Sequence, residues 1–111
     1  MSIPDKKALR SALAPGMVTT DEPGIYIDNE YGIRIENELL CVPAGESEYG
    51  KYLKFESLTL CPYDLTPVNR DELTKQEIEA VNAYHEHVYE TLKDGLAPEA
   101  AAWLYEVTRP R

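Results

Sequence analysis

The chain has 111 residues, 43% hydrophobic and 28% charged, which suits one small folded domain and is too balanced for wholesale disorder. Its 20 acidic against 11 basic residues give a formal net charge of −9, which repels phosphate backbones; with no Lys/Arg cluster to reverse this locally, nucleic acid is not an expected partner. No apolar run approaches the roughly 20 residues that cross a bilayer, and the segment from Met1 to Lys7 lacks the apolar run of a signal peptide, so the expectation is a cytoplasmic chain with no membrane partner.

Composition divides the chain near Pro67, into a part rich in Tyr, Ile, Val, Leu and Thr (residues 1–66) and a helical part (residues 67–111). In the first, Ala14-Pro15-Gly16 is a turn signal leading into a short strand, Met17 to Thr20. Glu22-Pro23-Gly24 interrupts it, because proline cannot donate to a ladder and glycine relaxes the backbone. Ile25-Tyr26-Ile27 resumes extended structure as far as a polar turn at Asp28-Asn29-Glu30. From Tyr31 to Val42, Ile33, Ile35, Asn37 and Leu39 alternate with Arg34, Glu36, Glu38 and Leu40, which predicts one strand with two different faces. A loop from Pro43 to Gly50 and a further strand from Tyr52 to Leu60, closed by Pro62, complete a small antiparallel sheet. Cys41 and Cys61 lie in apolar segments without metal-ligand spacing, and read as two buried free thiols in a reducing compartment.

The helical part carries stronger local signals. Thr74 and Glu77 have the spacing of a capping box, with Leu73 and Ile78 placed as a hydrophobic staple. Behind the cap, Ile78, Val81, Tyr84, His85, Val88 and Leu92 form one stripe at helical spacing, and Gly95 is placed to stop the helix. A second helix starts at Pro98, presents Ala101, Leu104 and Val107 on one side with Trp103 nearby, and ends before Pro110. Two amphipathic helices packed on a sheet make an α+β fold.

Few residues offer chemistry. Arg34 and Glu36 share a strand face, so a guanidinium and a carboxylate sit together. On spacing alone an exposed charge pair of little energetic weight is the favoured reading. Glu22, at a Pro-Gly break, is either a turn residue or a ligand aimed by irregular backbone. His85 and His87, two apart on one helix, face different ways and read as a partly buried packing residue and a surface residue.

The stretch PGMVTTDEPGIYI followed by YGIRIEN resembles the paired signature of pita-bread metallopeptidases, in the branch of Xaa-Pro aminopeptidases and prolidases. FESLTLCPYD and the helical NAYHEHVYETL are similar to the C-terminal extension of the longer aminopeptidase P type, and Ser2 to Leu13 resembles the connection that precedes PGM. The resemblance implies a partial pita-bread (creatinase/aminopeptidase-like) fold, with residues 1–66 from the catalytic domain and residues 67–111 a helical extension packed on it. It implies a hydrolase that removes an N-terminal residue preceding proline, with two divalent metals, commonly manganese, held by two Asp, one His and two Glu. On this sequence Glu22 and Glu36 match the two glutamate ligands, Glu22 for one metal with a share in proton transfer and Glu36 for both. Arg34 and Tyr26 match positions whose hydrogen bonds orient the carboxylates, and Arg34 is expected to keep Glu36 ionised.

The sequence also departs from that pattern. Before Glu22 the only acids are Asp5 and Asp21, and no histidine precedes it, so three of the five ligands are unmatched. The resulting expectation is the C-terminal part of a dinuclear aminopeptidase, inactive alone and binding no metal firmly, that acts on proline-containing peptides once the upstream catalytic part is supplied. The alternative is a stand-alone, non-catalytic module that self-associates through an unpaired sheet edge lined by Tyr26, Tyr31, Tyr49 and Tyr52. Metal storage or sensing through the two glutamates is a weaker third reading.

Overall fold

Strands come first and helices second along residues 12–111, the part of the chain that this computed structural model describes. Asp5 and nearly all of the segment from Ser2 to Leu13 lie outside the described residues. The chain divides into two units, Met1–Thr59 and Leu60–Arg111.

The first unit contains β1 (Val18–Asp21), β2 (Gly24–Ile27), β3 (Tyr31–Arg34), β4 (Asn37–Ser47) and β5 (Gly50–Ser57). β1, β4 and β5 form a three-stranded antiparallel sheet in that order, and β2 and β3 form a separate two-stranded ribbon. The ribbon turns through Asp28-Asn29-Glu30, where Glu30 N–H donates to the Ile27 carbonyl (3.0 Å) and Asn29 takes a φ of 60°. Asparagine tolerates that left-handed conformation, which explains its place at the tip.

Two expectations need correction here. The strand predicted from Tyr31 to Val42 is two strands in different sheets, broken at Ile35 and Glu36. The alternation runs through the break unchanged, so period alone does not reveal it. Second, most of the predicted loop from Pro43 to Gly50 belongs to a hairpin, with β4 reaching Ser47 and only Glu48 and Tyr49 in the turn. Pro43 is tolerated in β4 because β1 pairs only with Asn37 to Leu40, leaving β5 as the single neighbour at that level. A bulge between Pro43 and Gly45, where Gly45 takes a φ of 127°, absorbs the extra residue.

The second unit carries α1 (Lys75–Leu92) and α2 (Pro98–Thr108), with a 3-10 turn before α1 and another between the helices. Thr74 caps α1 by accepting from the Glu77 backbone N–H at 3.1 Å, and Pro98 opens α2 where its missing N–H costs nothing. His85 and Val88 of the expected stripe are fully enclosed, at 0% exposure, and Leu104 of α2 is 2% exposed. Thr108, outside the predicted stripe, is also buried and donates its hydroxyl to the Leu104 carbonyl at 2.6 Å.

From Leu60 onward the segment after β5 belongs to this unit. Tyr84 Oη accepts from Cys61 N–H (3.3 Å) and donates to its carbonyl (3.0 Å), while Tyr63 N–H donates to His85 Nε2 (3.0 Å) and the Tyr63 and Tyr84 rings stack at 4.8 Å. β5 therefore stops at Ser57 rather than Leu60, and Cys61 is exposed rather than buried in a strand; Cys41 is the enclosed free thiol. The α+β expectation, a small antiparallel sheet followed by two helices, holds.

Candidate functional site

The site grows out of the break that the alternation hides. Asp21 pairs with Asn37 on one side of it and Gly24 with Arg34 on the other. The register is therefore continuous, and Glu22 stands opposite Glu36 with Pro23 opposite Ile35. The two interruptions lie at one level because Pro23 lacks the N–H that a ladder needs; its carbonyl still accepts from Ile35 N–H at 3.2 Å. Both acids thus leave regular pairing together, from adjacent chain segments.

Their side chains meet. The carboxyl of Glu22 comes within hydrogen-bonding reach of the carboxyl of Glu36. Arg34 Nε lies 3.1 Å from Glu36 Oε2, and the Tyr26 hydroxyl reaches the same guanidinium. The structure brings together all four residues singled out from the sequence: Glu22, Tyr26, Arg34 and Glu36. The group is open to solvent, with the Arg34 and Glu36 side chains 50% and 37% exposed.

The electrostatics differ from expectation in one respect. Arg34 was expected to hold Glu36 ionised, and its charge does act in that direction. The hydrogen bond with Glu22 outweighs it, aided by burial and by the charges of Glu22 and Glu38, so the Glu36 carboxyl is raised above its ordinary range. A neighbouring carboxyl disfavours the charged form of Glu36, which is the direction of this shift. The Arg34 guanidinium, beside Glu36 and Tyr26, is raised in turn. Such a pair of hard oxygen donors suits a divalent cation, which would offset the repulsion between two carboxylates.

Sequence reasoning passed over Asn37. It is 8% exposed, and its Nδ2 donates to Ser57 Oγ at 3.1 Å while Ser57 Oγ donates to the Thr59 carbonyl at 3.1 Å. These bonds tie the residue next to Glu36 to the end of β5. The signal was present: Asn37 is the polar member of a face otherwise made of Ile33, Ile35 and Leu39. His85 and His87 lie on α1, and among the described residues no group of three or more His, Cys, Asp or Glu is placed to hold a metal. Nor, among them, is any helix long and apolar enough to cross a membrane.

Comparisons with known proteins identify a family over most of the chain. Residues 2–43 match metallopeptidase family M24, and residues 51–111 match the family described as the C-terminal region of peptidase M24. Aminopeptidase P1 of Arabidopsis thaliana is 39% identical over 98 residues, covering 85% of this chain and 15% of that protein. Xaa-Pro aminopeptidase 2 of Rattus norvegicus is 36% identical over 107 residues, covering 89% of this chain and again 15% of the relative. Among solved structures, the X-prolyl aminopeptidase of Caenorhabditis elegans, described as a cytosolic enzyme with a di-nuclear active site, matches with a TM-score of 0.77 and 36% identity, covering 89% of this chain and 17% of that one. The fold is accordingly part of the pita-bread architecture, and the chain spans about a sixth of the length of the relatives it matches.

Proposed function

The chain belongs to metallopeptidase family M24, among the Xaa-Pro aminopeptidases, and from that premise we propose that it supplies Glu22 and Glu36 to a dinuclear centre that removes an N-terminal residue preceding proline. The observation that carries this reading is the meeting of the two carboxyls across paired strand interruptions. Glu22 and Glu36 would hold the divalent ions, for which manganese suits the hard oxygen donors. When bound, the ions would supply Lewis-acid activation of water and of the scissile carbonyl.

The chain's own residues do the rest. Arg34 neutralises and orients Glu36, Tyr26 braces Arg34, and the Glu22 carboxylate takes up a proton released as water is activated. Two carboxylates alone bind divalent ions weakly in water, so the remaining ligands have to come from outside residues 12–111, and residues 12–111 alone turn over no substrate. The setting proposed is cytoplasmic, as that of the Caenorhabditis elegans enzyme is described. Residues 67–111 act as a helical extension of the catalytic part.

The test is cleavage of an Arg-Pro-Pro peptide with manganese, by the chain alone and after mixing with the remaining length of an M24 catalytic domain as a second polypeptide. Turnover is expected in the mixture only, and Glu22→Gln or Glu36→Gln should abolish it. Turnover by the chain alone would show the ligand count to be wrong.

A non-catalytic association module is the second reading. It is favoured by the large apolar side chains that the sheet unit exposes, among them Ile25 at 67% and Tyr49 at 85%. Sedimentation at several concentrations separates the two, since a strictly monomeric chain removes the second.

A further inference from the structure

The face that carries the carboxyl pair has a gap in it that glycine maintains. Along one strand the residues on that face are Glu22, Gly24 and Tyr26; along the other, in register, they are Glu36, Arg34 and Gly32. Each row beyond the glutamates therefore pairs one long side chain with a glycine. Tyr26 uses both spaces. A Cβ at Gly32 would stand 2.8 Å from Tyr26 Cδ1, and a Cβ at Gly24 would stand 2.7 Å from the Tyr26 hydroxyl and 2.9 Å from Cζ. Contacts below 3.0 Å are not tolerated, so the ring lies flat across β2 and β3 only because neither position has a side chain. That diagonal path ends at the Arg34 guanidinium, whose Nε is 3.1 Å from Glu36.

We propose that Gly24 and Gly32 are positioning residues for the carboxyl pair, forming a side-chain-free bed that lays the Tyr26 ring down so that its hydroxyl fixes Arg34 against Glu36. This deepens, and rests on, the reading of Glu22 and Glu36 as metal-holding groups. The competing account is structural: an aromatic ring placed over a cross-strand glycine shields its backbone and steadies the strand pair. In that account the hydroxyl is idle.

Gly32→Ala is the cleaner probe, because the nearest backbone atom to its new Cβ would be the Ile25 carbonyl oxygen at 3.6 Å, whereas at Gly24 the Ile33 carbonyl oxygen stands at 3.0 Å. Tyr26 is 66% exposed, so its ring can swing into solvent without dismantling the ribbon. The experiment follows the Arg34 Nε–H signal and the ring-current shift at Gly32 by NMR in the full chain, with thermal melting alongside. Tyr26→Phe should keep the Gly32 shift and the melting midpoint. Both variants should speed exchange of the Arg34 Nε–H about tenfold, the consequence of losing one hydrogen bond to a charged group. An unchanged Arg34 signal in Tyr26→Phe overturns the proposal, whether or not Gly32→Ala folds. An unchanged signal in a folded Gly32→Ala overturns it as well. Its failure is separable from that of the metal reading: faster exchange in both variants together with an inactive complemented mixture would remove the metal role and leave the positioning role standing.

Discussion

The two units of this chain are held together in different ways. Among the described residues, the helical unit encloses His85, Val88, Leu104 and Thr108, and its first helix is capped by Thr74. Among the described residues the sheet unit encloses only Cys41 and Asn37, while Ile25, Tyr26, Ile33, Tyr49 and Phe55 stay exposed. Among the described residues, side-chain burial is thus more extensive in the helical unit than in the sheet unit, whose strands are joined by antiparallel ladders. The grouped charges sit in the sheet unit, at a place where the ladder is interrupted on both strands. On the proposed reading of Glu22 and Glu36 as metal-holding groups, the interruption matters because regular pairing would make them ordinary strand residues.

The sharpest way to break this comparison is to damage the helical core. Leu104→Ala should cost about 2–5 kcal/mol, since a buried leucine loses both its transfer energy and its packing partners. Hydrogen exchange read residue by residue should show the loss in α1 and α2, with β4 and β5 protected as before. Equal loss in both units would mean that the sheet depends on the helical core.

Asn37→Ala is the corresponding lesion in the sheet, with a smaller expected effect. It removes the part-buried bond that Asn37 donates to Ser57, leaving the Ser57 hydroxyl only its bond to the Thr59 carbonyl, for about 1–3 kcal/mol. Exchange should accelerate at the β1–β4 and β4–β5 ends nearest the break and stay unchanged in α1. Retained protection there would show that the ladder alone holds the Glu36 segment.

These two lesions also mark what was legible. The helices, their starts at Thr74 and Pro98, and the stripe through Val88 could be read because capping and periodicity are local. Glu22, Tyr26, Arg34 and Glu36 could be named, but their meeting depends on the pairing of Asp21 with Asn37 and Gly24 with Arg34, which no local pattern encodes. The break at Ile35 and Glu36 was hidden for a related reason: a polar–apolar alternation continues whether or not the strand changes sheets. Pro43 and Gly45 suggested a loop because the free side of β4 and its bulge follow from the shortness of β1, a tertiary fact.

Acid should weaken the helical unit through His85. Its imidazole is fully enclosed, accepts from Tyr63 N–H at Nε2, and has its pKa lowered from the usual 6.5 by burial and then by the nearby Arg111 charge. Above about 6.5 neither the folded nor the unfolded form binds a proton there, and the contribution is complete. As pH falls through 6.5 the unfolded form takes up the proton first, so stability declines until the lowered folded value is passed. The decline is confined to that interval, and His85→Gln should flatten it in melts between pH 7 and 5.

The smallest expected change in stability comes from the residue most central to the site. Arg34 is half exposed and its ion pair with Glu36 is open to water, where such pairs contribute little. Arg34→Ala should therefore melt with the parent chain, in contrast to Leu104→Ala and Asn37→Ala. In the complemented assay the same variant should lose most of its turnover, because Glu36 then has no cation to hold its orientation. Stability retained with turnover lost would separate the residues that hold the chain together from those that do its chemistry. If Arg34→Ala instead lowered the melting point as far as Asn37→Ala does, the charges would be structural members of the sheet, and the division between the two units would have to be drawn elsewhere.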